Sequence, residues 1–169
     1  MTAPAFFEQA SRLLDLCRSK GILIATAESC TGGLVAGALT EVPGSSDVVE
    51  RGFVTYSNAA KSQMLGVPED LIARHGAVSE AVARAMAEGA LRHSGASLAV
   101  AVTGIAGPGG GSAFKPVGLV HFAASANWGA SLHSEQRFGD LGRFEIRQCA
   151  VAQALTMLER LAQERAVSA

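Results

Sequence analysis

The stretch Ala25-Thr26-Ala27-Glu28-Ser29-Cys30-Thr31-Gly32-Gly33 crowds a hydroxyl, a thiol and a carboxylate beside two glycines. Before it, Ile22-Leu23-Ile24 reads as a short buried strand; after it, Leu34 to Leu39 reads as a helix closed near Pro43-Gly44. Such a junction presents backbone N–H groups and the positive end of a helix dipole, which suits an anion or a developing oxyanion. A glycine in the first turn of a helix costs about 1 kcal/mol against alanine. Gly32 and Gly33 therefore point to something approaching the backbone closely. The same residues also fit a plain helix start, with Ser29 or Thr31 as N-cap and Cys30 a small buried hydrophobe, and the local pattern leaves both readings open.

Two more stretches carry chemistry. Tyr56 is followed by Lys61 within a segment that reads as a helix from Ser57 to Gly66, capped by Ser57 or Asn58. In the first turn of that helix the dipole opposes a positive charge on Lys61, and burial would act in the same direction, favouring the neutral amine that a general base requires. A solvated lysine and a rim tyrosine are the plainer alternative. The third stretch is Gly104-Ile105-Ala106-Gly107-Pro108-Gly109-Gly110-Gly111-Ser112, placed after the apolar run Leu98 to Thr103. Loops at strand ends line ligand crevices, and consecutive glycines let N–H groups form an anion nest. No Gly-Lys-Ser/Thr ends this loop and no Gly-x-Gly-x-x-Gly opens a helix after it, so nucleoside triphosphate hydrolysis and dinucleotide binding lack support.

The elements that must position these groups follow from periodicity. Phe6, Ala10, Leu13, Leu14 and Cys17 mark an amphipathic helix over the first twenty residues, ending at Gly21. Asp47 to Tyr56 predicts a strand with a possible bulge at Gly52, and Pro68 to Ile72 a short helical turn. Ser79 and Glu80 open a helix whose inner face is Val82, Ala85, Met86, Gly89 and Ala90, with Glu80 charging the first turn. Val117 to Ala126 and Ser131 to Phe138 read as antiparallel strands joined around Asn127-Trp128-Gly129. The last helix starts near Gly142, turns Val151, Ala154, Leu155, Leu158 and Leu161 inward, and frays after Gln163. This order predicts a single α/β domain over residues 1–169, a three-layer α/β/α sandwich on a mixed sheet.

Composition narrows the function. In a chain of 169 residues, 49% are apolar and 17% charged, as expected of a globular domain with a real core. A net charge of −1 without a basic run and an aromatic share of 5% argue against a nucleic-acid surface. No apolar stretch reaches the length of a membrane span, and no signal peptide opens the chain. Cys17, Cys30 and Cys149, and His75, His93, His121 and His133, lack metal-ligand or disulfide spacing; the histidines read as surface or strand residues. The expectation is a cytoplasmic protein with no cofactor and no metal, and with no nucleic-acid or membrane partner.

Ala27-Glu28-Ser29-Cys30-Thr31-Gly32-Gly33, Gly52-x-Val54-x-Tyr56-x-Asn58-x-x-Lys61, Gly76-Ala77-Val78-Ser79-Glu80 and Val102-Thr103-Gly104-Ile105-Ala106-Gly107-Pro108 with Gly110-Gly111-Ser112 closely resemble, in order and over nearly the whole chain, the CinA C-terminal domain family. The resemblance implies the stand-alone form of that domain and a nicotinamide-nucleotide amidase. Such an enzyme hydrolyses the carboxamide of nicotinamide mononucleotide to nicotinate mononucleotide and ammonia, without metal. It implies catalysis by Ser29, Tyr56 and Lys61, with Lys61 taking the Ser29 proton directly or through Tyr56, and with backbone N–H groups at Cys30, Thr31 or Gly32 holding the oxyanion. Cys30 is the rival nucleophile, but no motif pairs it with a histidine. The substrate-facing set is Cys30, Thr31, Gly32 and Gly33 together with Thr103, Gly104, Ala106, Gly107, Ser112 and Arg143. The family's usual Gly-Asp-Arg is spread here over Gly139-Asp140-Leu141-Gly142-Arg143, so Asp140 as a helix cap and Arg143 as a surface residue stay open beside a phosphate-binding role. A homodimer or larger homo-oligomer is also implied. A non-catalytic module that binds a pyridine nucleotide or docks a DNA-uptake or repair partner, and an amidase of another substrate, are the competing functions.

Overall fold

The computed structural model describes residues 5–167. Its centre is one five-stranded sheet in the order β2-β1-β3-β4-β5, formed by β1 (Ile24–Glu28), β2 (Val49–Val54), β3 (Leu98–Gly104), β4 (Leu119–Ala126) and β5 (Ser131–Arg137). β1 runs parallel to both β2 and β3, while β4 and β5 continue the sheet antiparallel, so the sheet is mixed as expected. The helices are α1 (Phe7–Ser19), α2 (Leu34–Thr40), α3 (Asn58–Leu65), α4 (Glu69–His75), α5 (Glu80–Arg92) and α6 (Arg143–Glu164).

Alternation along the strands separates two cores. Ile24, Leu98, Val100, Val102, Val120 and Phe122 face one side, where they pack with Leu13, Leu14, Leu39, Leu155 and Leu158 from α1, α2 and α6. Ala25, Ala27, Ala99, Ala101 and Ala123 face the other, against Leu65 of α3, Ile72 of α4, and Val82, Met86, Ala87 and Ala90 of α5. Small residues on that face let α5 lie close to the sheet. At Gly89 the approach reaches backbone: a Cβ there would overlap the Leu65 carbonyl at the end of α3. The layers are therefore α1, α2 and α6, then the sheet, then α3, α4 and α5.

Several local expectations shift. β1 begins at Ile24 and runs on to Glu28, so most of the supposed turn is strand. Ala25 and Ala27 are poor strand formers alone, but a central strand covered on both faces needs small side chains there. β2 starts at Val49, because Ser45–Asp47 forms a 3-10 turn held by Arg18 through Gly44 and Asp47. The irregularity in β2 faces the Ile24/Ala25 step and not Gly52. Gly52 serves space instead: a Cβ would come within 2.9 Å of Thr26 Oγ1 and 3.2 Å of Ala36 Cβ. Ala85 is only partly buried on α5. The first helix is Phe7–Ser19, and residues 1–4 of its expected span lie outside the described residues. The end of α6 is tied down rather than frayed: Lys20 Nζ donates to the carbonyls of Ala162, Gln163 and Arg165, satisfying acceptors a helix terminus leaves open. Among the described residues no helix is long and apolar enough to cross a membrane.

Candidate active site

The carboxyl ends of β1, β2 and β3 lie side by side, the position where open α/β sheets place ligands. β1 delivers Ser29 immediately after Glu28, and the Ser29 N–H donates to Val102 O at 2.9 Å, extending the β1–β3 pairing by one step. The chain then turns through Gly32 (φ +58°) and Gly33 (φ +103°) into α2, a left-handed path that suits glycine. Beyond β2, the Thr55 N–H donates to Glu28 O at 2.8 Å, and Ser57 caps α3 by accepting from the Ala60 N–H at 3.0 Å. That cap directs the first turn of α3 over the strand ends and sends the Lys61 side chain inward.

Lys61 is 1% exposed, while Ser29 is 9% exposed at the edge of the cavity. Lys61 Nζ lies 3.0 Å from Ser29 Oγ and donates to Thr55 O at 3.0 Å. Burial pushes the Lys61 pKa below its usual 10.5, with the neighbouring Cys30 acting weakly the other way. Burial also raises the Cys30 thiol to about 12, chiefly by desolvation, so at neutral pH it is an uncharged thiol rather than a nucleophilic thiolate. A cavity of about 230 Å³ opens in front of the pair, lined by Ser29, Cys30, Tyr56, Asn58, Lys61, Ala77, Val78, Thr103, Gly104, Ala106 and Arg143. Thr103 Oγ1 donates to Ala77 O at 2.8 Å, which ties the β3 wall to the segment before α5.

Tyr56 stands at the rim, 60% exposed, and its hydroxyl accepts from Arg143 Nη2 at 2.8 Å. It makes no bond to Ser29 or Lys61, so the serine–lysine contact is direct and a relay through Tyr56 is absent from this geometry. Arg143 also donates from Nη1 to Gly107 O at 2.8 Å, closing a strap of β2 end, α6 start and glycine loop across the mouth. The inserted Leu141-Gly142 thus still delivers Arg143 to the site. Asp140 is not the helix cap, since Gly142 holds that position.

Other expected residues fall elsewhere. Neither Ser29 nor Thr31 caps α2; Gly33 occupies the N-cap without a side-chain bond. The buried Glu28 carboxylate does that work, accepting from Val35 N at 2.8 Å and Ala36 N at 3.0 Å, with Thr26 Oγ1 donating at 3.3 Å. The dipole end of α2 is therefore already filled by the protein's own anion, which corrects its expected use for a substrate anion. Thr31, Gly32 and Gly33 do not line the cavity, and the Gly32 N–H is engaged by Ser29 O at 3.0 Å. Ser112 lies in a turn of the glycine loop, its hydroxyl accepting from Lys115 N, away from the cavity. Two residues escape the sequence reading altogether. Glu28 carried a signal, a lone carboxylate in an otherwise uncharged strand, which must be paired if buried. Arg147 carried none: from α6 it donates to the carbonyls of Cys30 and Thr31, more than a hundred residues away.

On the far side of the sheet His121 and His133 do meet, with Nδ1 and Nε2 3.0 Å apart. Glu135 and Glu80 face their outer nitrogens at 3.8 and 3.6 Å. Desolvation lowers the pKa of both rings. Among the described residues no group of three or more His, Cys, Asp and Glu side chains is arranged to hold a metal ion.

The fold and site define an α/β/α sandwich protein with a buried serine–lysine pair at the ends of three parallel strands. The model of the CinA C-terminal domain matches residues 7–162, and the chain belongs to that family. It is 55% identical over 150 residues to a CinA-like protein of Synechococcus sp. (strain RCC307), a match covering 88% of this chain and 36% of that protein. A CinA-like protein of Anaeromyxobacter sp. (strain K) is 52% identical over 140 residues, covering 83% of this chain and 34% of its own length. The chain thus spans about a third of the length of these curated relatives. Among solved structures, the competence/damage inducible protein CihA from Agrobacterium tumefaciens superposes with a TM-score of 0.92 at 56% identity, covering 95% of this chain and 98% of that one. A competence-damaged protein (CinA) superfamily protein from Escherichia coli superposes with a TM-score of 0.88 at 33% identity, covering 95% and 94%.

Proposed function

We propose that this chain is an amidohydrolase that converts nicotinamide mononucleotide to nicotinate mononucleotide and ammonia, with Ser29 as nucleophile and Lys61 as general base. The observation that carries the chemistry is the 3.0 Å contact between Lys61 Nζ and Ser29 Oγ, made by a lysine that burial holds toward its neutral form. The substrate rests on the resemblance of the four sequence motifs to the amidase family.

A neutral amine has one lone pair. With one N–H donated to Thr55 O, the lone pair is free to face the Ser29 hydroxyl and take its proton as Oγ attacks the carboxamide carbon. The backbone N–H of Cys30, a residue of the cavity wall, donates to no carbonyl among the described residues, and it is the donor for the oxyanion; one such donor is commonly worth about 3 kcal/mol in the transition state. Collapse of the tetrahedral intermediate breaks the C–N bond, and the leaving nitrogen takes the proton from Lys61 and departs as ammonia. Water then attacks the acyl ester, giving a proton to Lys61, and the second collapse returns that proton to Ser29. Arg143 is the cation at the mouth for the nucleotide phosphate, with Tyr56 holding its guanidinium in place. A cytoplasmic location and a homo-oligomeric state belong to the same proposal.

The test is ammonia release from nicotinamide mononucleotide by the purified protein. Activity lost in Ser29→Ala with an unchanged circular dichroism spectrum supports the reading. Full activity in that variant refutes it.

A further inference from the structure

Arg147 lies one turn along α6 from Arg143 but does not line the cavity. It approaches the Ser29 turn on its carbonyl side: Nε donates to Cys30 O at 3.1 Å and Nη2 to Thr31 O at 3.2 Å. A trans peptide is planar, with C=O and N–H on opposite sides. Cys30 O therefore fixes the direction of the Thr31 N–H, and Thr31 O that of the Gly32 N–H. The Gly32 N–H in turn donates to Ser29 O at 3.0 Å, and that carbonyl shares its plane with the Cys30 N–H. All the peptide planes between Ser29 and Gly32 are thus set from their carbonyl sides: Cys30 O by the guanidinium, Thr31 O by the guanidinium together with the Leu34 N–H at 3.1 Å, and Ser29 O by the Gly32 N–H. The amides left without a carbonyl partner are those of Cys30 and Thr31, and of these two residues Cys30 is the one that lines the cavity.

We propose that Arg147 is the positioning residue of the oxyanion-binding turn, holding the carbonyls of Cys30 and Thr31 and, through the Gly32 N–H on Ser29 O, the Cys30 amide that faces the oxyanion formed on Ser29. This rests on Ser29 being the nucleophile. Two features of the guanidinium suit the task. Its rigid fork spans adjacent carbonyl oxygens, which the point charge of a lysine does not. A cation on a carbonyl also polarises the peptide and makes the N–H at its other end a stronger donor. The anchor lies outside the cavity, so it acts without touching substrate.

The experiment compares wild type, Arg147→Gln, Arg147→Lys and Arg143→Gln in two assays. One is steady-state hydrolysis of nicotinamide mononucleotide. The other is phosphonylation of Ser29 by an alkyl fluorophosphonate, in which Oγ bonds to phosphorus, fluoride leaves and the serine proton passes to Lys61. Arg147→Gln should slow kcat and phosphonylation together by about 10- to 100-fold, with KM within about threefold and an unchanged pH midpoint for labelling, because Lys61 is untouched. Arg147→Lys should recover part of the loss, and Arg143→Gln should raise KM instead. The proposal is overturned if Arg147→Gln labels at the wild-type rate, raises KM at constant kcat, shifts the pH midpoint, or loses rate only in proportion to the unfolded fraction seen by circular dichroism. Labelling of wild type without ammonia release would remove the amidase reading alone, and the labelling rates would still decide the role of Arg147. A wild type that neither labels nor turns over would remove both.

Discussion

Lys61→Met removes the amine and keeps most of the apolar stem, and its consequences divide cleanly between rate and stability. On the rate side, a positioned general base contributes about 10²- to 10⁴-fold, so kcat should fall by that factor while KM stays within a few-fold. On the stability side, the side chain is 1% exposed and desolvation lowers its pKa from 10.5. The unfolded chain keeps its lysine charged up to about pH 10.5, whereas the folded chain releases the proton at lower pH. Between those two values folding expels a proton, so wild-type stability rises with pH, by up to about tenfold in the folding constant per pH unit. Below the folded value both states carry the charge and the slope vanishes. Lys61→Met has no such term; against this, it leaves Thr55 O without its partner, a loss of about 1 to 3 kcal/mol that does not depend on pH. The Cys17 thiol, raised to about 12, lowers stability above pH 9 in both proteins and cancels in the difference; the Cys30 thiol, also raised to about 12, interacts with Lys61, so it is below pH 9 that the difference reports Lys61 alone. Urea unfolding of the two proteins at intervals from pH 7 to 10.5, alongside kcat against pH, makes the comparison. A stability difference that stays flat over that range, or a Lys61→Met enzyme with wild-type kcat, would show that Lys61 is not held neutral by the fold.

Other substitutions test neighbouring links. Gly89→Ala places a methyl group against the Leu65 carbonyl, so it should separate α3 from α5, cost about 1 to 3 kcal/mol in chemical denaturation and lower kcat by retracting Lys61. Cys30→Ala should keep kcat within a few-fold and fold normally, and wild-type Cys30 should resist iodoacetamide at neutral pH, because its buried thiol is pushed up to about 12; activity abolished by the alanine would make the thiol the nucleophile. His121 and His133 have pKa values depressed by burial, facing Glu80, Glu135, Arg84 and Lys115. Depressed folded values mean that the unfolded chain binds protons first, so the melting temperature should fall as pH drops below about 6.5. His133→Gln should flatten that fall, as read by melting scans from pH 7.5 to 5.

The parts of this molecule legible in its sequence are those governed by local chemistry. Ser57 and Ser79 announce the starts of α3 and α5, and both accept the expected backbone N–H. The alternation of Leu98, Val100 and Val102 with Ala99 and Ala101 marks a strand covered on both faces, which it is. Lys61 and Ser29 stand out by type and spacing together with the family motifs, and the fold brings their side chains together. What stayed hidden depends on tertiary partners. Ala25 to Ala27 read as turn because strand propensity cannot register two helical layers pressing on a central strand. Gly52 reads as a bulge when the cause is Ala36 and Thr26 crossing close by. Arg147 resembles any helix-surface arginine until α6 is laid beside the Ser29 turn, and Ser112 looks like a ligand until its loop folds outward.

The topology explains why Ser29 and Lys61 can differ so much in environment while 3.0 Å apart. Ser29 enters through the turn into α2 on one face of the sheet, and Lys61 through α3 on the other, so they meet only beyond the strand ends. Lys61, reaching there from α3, is 1% exposed, and burial keeps its amine largely out of water although it borders the same cavity. A serine at the end of β1 borders the cavity. Tyr56 and Arg143 stand farther out in solvent, where a charged guanidinium costs little to keep. Exposure therefore rises in order from Lys61 to Ser29 to Tyr56, over a path only a few side chains long. An amine drawn out into solvent would recover its proton. A serine moved toward the core would lose its place at the cavity. The buried carboxylate of Glu28 and the guanidinium of Arg147 hold the strand-to-helix turn at the boundary between those two failures, one by fixing α2 and the other by fixing the carbonyls that follow Ser29.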